Sequence, residues 1–198
     1  IKFCVRIKQE QLKGIAILIV FSIGGWWFYK NIARELPNVN EIYNPPKLST
    51  IILDRNGGVL YKFYDKENRS WVGMDKIPQN LINATVAIED KDFYKHHGLS
   101  FKGILNAVIF DFKNGGDSRL RGGSTITQQL VKNVFFPNED GFKRKAKEAI
   151  VTLMVEAKLT KQEILERYFN QVAYGGDIYG VEEAARRYFG KNVDQIDL

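Results

Sequence analysis

The sequence predicts a mainly α-helical protein in which one apolar helix and a short β-hairpin precede a helical domain. Three observations predict this class: an uncharged apolar run at residues 14–29, two β-rich runs on either side of an Asn-Gly pair at residues 56–57, and helical periodicity from Pro78 onward. The chain has 198 residues and 44% hydrophobic side chains, which is enough for one main domain with a buried core and an appendage.

The apolar run at residues 14–29 is predicted to be an uncleaved membrane anchor. A helix of this length rises about 24 Å, and snorkelling Lys13 or Lys30 would extend it towards a ~30 Å hydrocarbon core. Trp26 and Trp27 lie at one end of the run, as interfacial aromatics do. The segment before the run is basic, so the N-terminus is predicted to be cytoplasmic and the rest of the chain extracytoplasmic.

Two other interpretations of this run stay open, a cleaved signal peptide and a buried helix of a soluble protein. A cleavage site requires small residues just after the apolar run, and the tryptophan pair disfavours it. The formal net charge of +6 favours anionic partners such as nucleic acid, acidic lipid or phosphate, and a solvated basic surface is the alternative. Cys4 is the single cysteine, which excludes an intrachain disulfide.

The next elements follow from local sequence. Two prolines, Pro45 and Pro46, predict that residues 35–48 form an extended linker. Residues 49–53 and 59–63 then predict the hairpin, and Trp71 with Val72 predicts a third strand. The chain therefore divides into a basic tail and anchor at 1–30, a linker and hairpin region at 31–76, and the main domain at 77–198.

Helices are predicted in three parts of the main domain. Pro78 opens the first, in which Ile82, Val86 and Glu89 share one face. Residues 147–159 place a set of apolar side chains at helical spacing; these are Ile150, Leu153, Met154 and Ala157. Thr160 begins a Thr-x-x-Glu capping box that opens a further helix.

Two carboxylates are candidates for chemistry. Glu89 ends an apolar helix, where the helix dipole and desolvation would favour proton acceptance, although a solvated helix-end carboxylate is the simpler interpretation. Glu148 lies four residues after Arg144, so a surface ion pair explains it equally well. The cations around it form a candidate phosphate site or a solvated basic face; they are Lys132, Lys143, Arg144, Lys145 and Lys147.

Five blocks of the sequence, in order, resemble the family 51 glycosyltransferases, the peptidoglycan glycosyltransferases. These occur alone or as the N-terminal module of class A penicillin-binding proteins. The blocks are EDKDFYKHHG (89–98), GGSTITQQLVKN (122–133), RKAKE (144–148), KQEILERYFNQV (161–172) and YGVEEAARRYFGK (179–191). The resemblance implies a lysozyme-like, mostly helical glycosyltransferase domain with a small membrane-facing lobe.

The resemblance also implies a reaction. The family polymerises lipid II by inverting transfer from a donor strand on undecaprenyl pyrophosphate to the 4-hydroxyl of the acceptor GlcNAc. Glu89 matches the general base, and Glu148 matches a second carboxylate that positions groups around the donor pyrophosphate or its metal. Lys132, Arg144 and Lys145 match residues near the phosphates. Substrate-binding roles also fall on the hydroxyls and amides of the second block, which are Ser124, Thr125, Gln128 and Gln129.

Further expectations concern partners and place. Many members of the family use a divalent metal, Mg or Mn, as a phosphate clamp, although this sequence holds no recognisable metal-binding motif. The expected partners are lipid II, the growing glycan strand, the membrane and proteins of a cell-wall synthesis complex, and no nucleic acid. The expected location is the bacterial cytoplasmic membrane, with a single pass and the catalytic domain on the extracytoplasmic face.

The sequence departs from the family in two positions and at its end. Asp140 and Asn106 stand where the family has arginines, which would weaken the phosphate site unless Lys143 compensates. The family continues with further helices after the position of Leu198, so we expect a fragment, with a transpeptidase domain after it left open. Two alternative functions remain: a membrane-anchored lytic enzyme that cleaves glycan, and a non-catalytic scaffold that binds precursors.

Overall fold

The computed structural model describes residues 19–64, 67–100 and 123–197, and these parts are mainly helical with a few short strands. The prediction of a mainly α protein is therefore confirmed. We number the described helices in chain order as α1 (residues 19–31), α2 (Gln79–Glu89), α3 (Ile126–Phe135), α4 (Gly141–Glu156), α5 (Lys161–Gln171) and α6 (Val181–Phe189).

The chain separates into two compact units, Ile1–Pro37 and Asn38–Leu198. Helix α1 belongs to the first unit and covers the described portion of the predicted anchor, whose first residues lie outside the described residues. The ammonium of Lys30 lies 5.0 Å from the centre of the Trp26 ring. None of the helices in the described ranges has both the length and the apolar character needed to cross a membrane. The anchor and the three-part division of the chain stay predictions.

The predicted hairpin is present in the second unit. Strand β1 (Thr50–Leu53) pairs antiparallel with β2 (Val59–Phe63), and Gly57 in the turn has a φ of 85°, which suits glycine. Three further strands, β3 (Asn68–Arg69), β4 (Ala173–Gly175) and β5 (Ile178–Tyr179), form a small sheet. Its order is β3-β5-β4, and β5 runs parallel to β3 and antiparallel to β4.

The prediction of a strand at Trp71 and Val72 was wrong. The side-chain amide of Asn170 donates to the carbonyl of Val72 at 2.8 Å and accepts from its N–H at 2.9 Å. Trp71 donates its indole N–H to Glu166 at 3.3 Å. The backbone here is satisfied by a side chain of α5, so no strand partner is needed.

The core of the second unit lies around α3, which packs against α4 and α5. The start of α3 is held by contacts with Asp90, Gly98 and Glu148. The fully buried apolar side chains of these three helices are Ile126, Leu130, Val131, Val151, Val155, Ile164, Leu165 and Phe169.

The buried face of α4 differs from the one that its apolar pattern predicts. Leu153 and Met154 are 48% and 39% exposed, whereas Thr152 is fully buried and Glu148 is 1% exposed. The face of α4 that carries Glu148 lies towards α3, because the Glu148 carboxylate contacts Gln128 of α3 as well as Arg144 and Lys145 of α4. The expected apolar face is therefore rotated outward. By contrast, the capping box predicted at Thr160 is confirmed at the start of α5.

Candidate active site

Helix α3 begins with a capping box that fixes its first turn. The Thr125 hydroxyl accepts from the Gln128 N–H, and the Gln128 side-chain oxygen accepts from the Thr125 N–H, both at 3.1 Å. The same hydroxyl donates to the carbonyl of Gly98 at 2.6 Å. Thr125 and Gln128 are 2% and 3% exposed, so these two predicted substrate-binding residues lie beneath the site and support it.

A carboxylate at the end of α2 ties that helix to the start of α3. Asp90 accepts from the backbone N–H of Ile126 at 3.1 Å and from Nε2 of His96 at 2.9 Å. Nδ1 of His96 accepts from the N–H of Gly98 at 3.1 Å, so Nε2 is the nitrogen that carries the proton. This network holds Glu89, the neighbour of Asp90, against α3.

Sequence reasoning did not identify this network. A signal was present in the acidic pair Glu89-Asp90, followed six residues later by His96. Gly98 has a φ of 85°, and a Cβ there would meet Thr152 at 2.6 Å and Glu156 at 2.8 Å. Only glycine fits at this position, so the loop that carries the network does not tolerate a side chain there.

Glu89 is exposed and bonds to the second glutamine of α3. Nε2 of Gln129 donates to Oε2 of Glu89 at 2.9 Å. Oε1 of Gln129 accepts from the Tyr168 hydroxyl at 3.2 Å. Burial and the charge of Glu89 raise the pKa of Tyr168, and the same two causes raise the pKa of Tyr174 to about 12. Both phenols therefore stay protonated near neutral pH, on the side of the site where Glu89 lies.

Glu148 is buried, and its two oxygens accept from three side chains. Arg144 forms an ion pair with Oε2, and Lys145 donates to Oε1 at 2.5 Å. Gln128 approaches the same Oε1 at 3.4 Å. Lys145 also donates to the hydroxyl of Ser124 at 3.0 Å, and its side chain is 45% exposed. The pair predicted between Arg144 and Glu148 exists, but it is not the surface pair of the simpler interpretation.

The two carboxylates are joined through adjacent residues of one helix turn. Gln129 contacts Glu89, and Gln128 contacts Glu148. Lys132 is exposed. It lies four residues after Gln128 and three after Gln129, which puts it on the same side of α3 as the glutamines. An exposed carboxylate and a group of partly exposed cations therefore lie on either side of the first turn of α3.

Other predicted residues are elsewhere. Lys147 is buried, paired with Glu139 at 2.5 Å and 5.2 Å from the centre of the Phe136 ring, so it is not available to the anion site. Lys143 is exposed near the start of α4, and Asp140 is the exposed N-cap residue of that helix. Asn106 lies outside the described residues.

The described residues do not form a metal-binding cluster of three or more His, Cys, Asp or Glu side chains. Glu148 is the carboxylate nearest to the cations, and both of its oxygens already accept from Arg144 and Lys145. This donor set does not fit a metal ion that is held by the protein. Fixed cations are the groups that this part of the chain could offer to an anion.

A mainly helical domain that sets one exposed carboxylate beside a cluster of fixed cations has the features of a group-transfer enzyme with an anionic leaving group. A family model described as Transglycosylase matches residues 56–198. The chain belongs to this transglycosylase family.

Curated relatives agree with the family match. Penicillin-binding protein 1A of Rickettsia felis is 37% identical over 199 residues, which is 99% of this chain and 24% of the relative. Penicillin-binding protein 1A of Aquifex aeolicus is 40% identical over 193 residues, 96% of this chain and 26% of the relative. Penicillin-binding protein 1F of Bacillus subtilis is 41% identical over 150 residues, 76% of this chain and 21% of the relative. The chain spans about a quarter of the length of these relatives.

Proposed function

We propose that this domain is a peptidoglycan glycosyltransferase that polymerises lipid II. The observation that carries the proposal is the pair of adjacent glutamines in α3, one bonded to Glu89 and the other to Glu148. A base and an anion site on either side of one helix turn suit a reaction that deprotonates a hydroxyl and releases a pyrophosphate. Membership of the transglycosylase family supports the same assignment.

Glu89 acts as the general base. Its free oxygen takes the proton of the acceptor 4-hydroxyl as that oxygen forms a bond to C1 of the donor sugar. The bond from C1 to the lipid pyrophosphate breaks at the same time, and its electron pair leaves with the phosphate oxygen. Because attack comes from the face opposite to the leaving group, the configuration at C1 inverts. Tyr168 and Tyr174 stay protonated beside Glu89 and do not compete for the proton.

The cations stabilise the leaving group. Glu148 holds Arg144 and Lys145 in fixed positions, and Ser124 gives Lys145 a second contact. Cations that are already oriented need not reorganise as negative charge develops on the departing phosphate. Lys132 adds a further charge from α3. No step requires a metal held by the protein, and a divalent ion that acts here would take its ligands mainly from the pyrophosphate and water.

The two alternative functions are not favoured. A lytic glycan-cleaving enzyme needs a catalytic acid but no anion site. Such an enzyme would not explain the cluster of Glu148, Arg144 and Lys145. A non-catalytic scaffold leaves the exposed and positioned Glu89 unexplained. The replacement of two family arginines, by Asp140 and at Asn106, is the only support for a scaffold.

One experiment separates the three functions. The whole chain in detergent micelles is incubated with labelled lipid II and, separately, with finished peptidoglycan. Growth of labelled glycan strands from lipid II is the expected result. Release of fragments from finished peptidoglycan would instead support a lytic enzyme, and binding of lipid II without turnover would support a scaffold.

Residues 14–29 are included in the proposal as a membrane anchor that keeps the enzyme on the surface where its lipid substrate lies, with the domain on the extracytoplasmic face. Lys47 follows the two prolines of the linker and is exposed, so it is a suitable labelling site. A Lys47→Cys substitution in a Cys4→Ser background should react with a membrane-impermeant thiol reagent in intact spheroplasts. Labelling that requires an opened membrane would mean the opposite topology.

A further inference from the structure

We propose that Tyr168 is a positioning residue that sets the orientation of the Gln129 amide and thereby selects which oxygen of Glu89 acts as the base. The proposal concerns the same site and rests on the proposed function. It assigns a role to a residue of α5 that touches neither carboxylate directly. The juxtaposition that carries it is a chain of two hydrogen bonds, from the Tyr168 hydroxyl to Gln129 and from Gln129 to Glu89.

The two ends of Gln129 have different requirements. An ionised carboxylate can only accept hydrogen bonds, so Glu89 requires the NH2 end of the amide. The carbonyl end then needs a donor, and the Tyr168 hydroxyl supplies it at 3.2 Å. Burial and the nearby charge of Glu89 keep this phenol protonated, so it remains a donor over the working pH range. A reversed amide would bring its oxygen against the carboxylate and repel it.

This orientation leaves the two oxygens of Glu89 unequal. Oε2 accepts from Gln129, whereas none of the residues that the structure describes donates to Oε1. Glu89 is exposed, so Oε1 is open to an incoming hydroxyl. When Oε1 takes the acceptor's proton, Gln129 continues to donate to Oε2 and the carboxyl group does not rotate. Tyr168 thus holds the base in one geometry through the reaction.

Tyr168 acts from behind the site rather than on the substrate. It is 4% exposed, and its ring packs edge-on against Phe169 with the ring centres 6.0 Å apart. Removal of its hydroxyl should therefore change the rate of the chemical step and leave substrate binding nearly unchanged. Substitution by phenylalanine keeps the ring and its packing, so the fold is retained.

The test is a double-mutant cycle with the whole chain. Tyr168→Phe should lower kcat for lipid II polymerisation about tenfold, with KM within about twofold of wild type. In a Gln129→Met background, where the amide is already gone, Tyr168→Phe should change kcat by less than about twofold. A control is Tyr64→Phe, which removes a tyrosine hydroxyl that bonds to Asp177 outside the site and should leave kcat unchanged.

Two kinetic outcomes would overturn the proposal. Equal losses from Tyr168→Phe in both backgrounds would mean that the residue does not act through Gln129. An increase in KM with unchanged kcat would mean that it contributes to substrate binding.

A measurement without turnover separates this proposal from the proposed function. In wild type labelled with 15N-glutamine, the two side-chain amide protons of Gln129 should differ strongly in chemical shift, and the one bonded to Glu89 should exchange slowly. The resonances are assigned by their loss in Gln129→Met. In Tyr168→Phe they should approach the values of solvent-exposed glutamines. Unchanged resonances would refute the positioning role, even if the wild-type chain proved inactive on lipid II.

Discussion

Glu89 and Glu148 both contact glutamines of α3, yet one lies in solvent and the other is buried. Glu89 receives one described hydrogen bond, from a neutral amide. Glu148 is 1% exposed and receives two cations as well as an amide. In the proposed mechanism the exposed carboxylate takes the acceptor's proton, and the buried carboxylate only holds cations in place.

The difference follows from what surrounds each carboxylate. An oxygen that is open to solvent can contact an incoming ligand, whereas both oxygens of Glu148 are already occupied by Arg144 and Lys145. The cations around Glu148 gain fixed positions from it, and Lys145 remains partly exposed for a further ligand. Because the proposed mechanism gives proton transfer to Glu89 and the positioning of cations to Glu148, we expect substitutions at the two positions to fail in different ways.

The largest effect is expected from Glu89→Gln. The amide has nearly the same shape but cannot accept the hydroxyl proton, so polymerisation of lipid II should fall by about 10²–10⁴. Because Glu89 is exposed, the thermal unfolding midpoint should hardly change. Turnover within tenfold of wild type in a folded variant would remove Glu89 from the role of base.

Glu148→Gln should lose both activity and stability. Arg144 and Lys145 would lose their counter-charge, and we expect a stability loss of about 1–3 kcal/mol, below the usual figure for a broken buried pair because Lys145 can turn to solvent. Activity should fall by about 10–100-fold as the cations lose their fixed positions. Urea unfolding and a lipid II assay measure the two effects.

The control for Glu148 is Glu139→Gln, which takes a carboxylate from Lys147 outside the site. It should lower stability without a comparable loss of activity. Full activity in Glu148→Gln, with only the stability loss, would mean that Glu148 is structural.

The sequence predicts the positions of the helices and strands better than it predicts which side of each element is buried. Hairpin and capping-box signals are local, and both the strands around Gly57 and the cap at Thr160 were correctly predicted. The buried side of α4 was not, because the burial of Glu148 depends on contacts with α3 that are distant in sequence. The strand expected at Trp71 failed for the same reason, since its neighbour Val72 is paired by Asn170 of α5.

The site shows the same limit. Residue types, motif spacing and the family resemblance indicated Glu89, Glu148 and the cations beside them as candidates, and the roles of these residues stay predictions. They did not indicate that Gln128 is buried in a cap while its neighbour Gln129 bonds to Glu89. Tyr168 could not be found from sequence, because its hydroxyl reaches Gln129 only through the packing of α5 on α3.

A smaller effect is expected from Lys132→Ala, which tests whether the anion site extends from the Glu148 side along α3. A charge-assisted contact to phosphate is worth about 1.5–3 kcal/mol in a protected site and less at an exposed one, so donor use should weaken about tenfold. Titration with a pyrophosphate-containing lipid analogue measures the affinity for the donor. Lys47→Ala removes an equally exposed lysine from the linker and should bind the analogue as wild type does. Equal affinity in both variants would confine the site to Arg144 and Lys145.

The smallest effect is expected from the loss of a helix cap, compared at two helices. Thr160→Ala removes the capping box of α5, which should lower stability by about 1 kcal/mol and leave activity within twofold. Thr125→Ala removes the equivalent cap of α3 together with a bond to Gly98, so the stability loss should be about 1–2 kcal/mol. Only the second change disturbs the turn that carries both glutamines, so only Thr125→Ala should also lower kcat, by a few-fold. If the two variants lose activity equally, the first turn of α3 does not link Glu89 to Glu148 in the way that the contacts of Gln128 and Gln129 indicate.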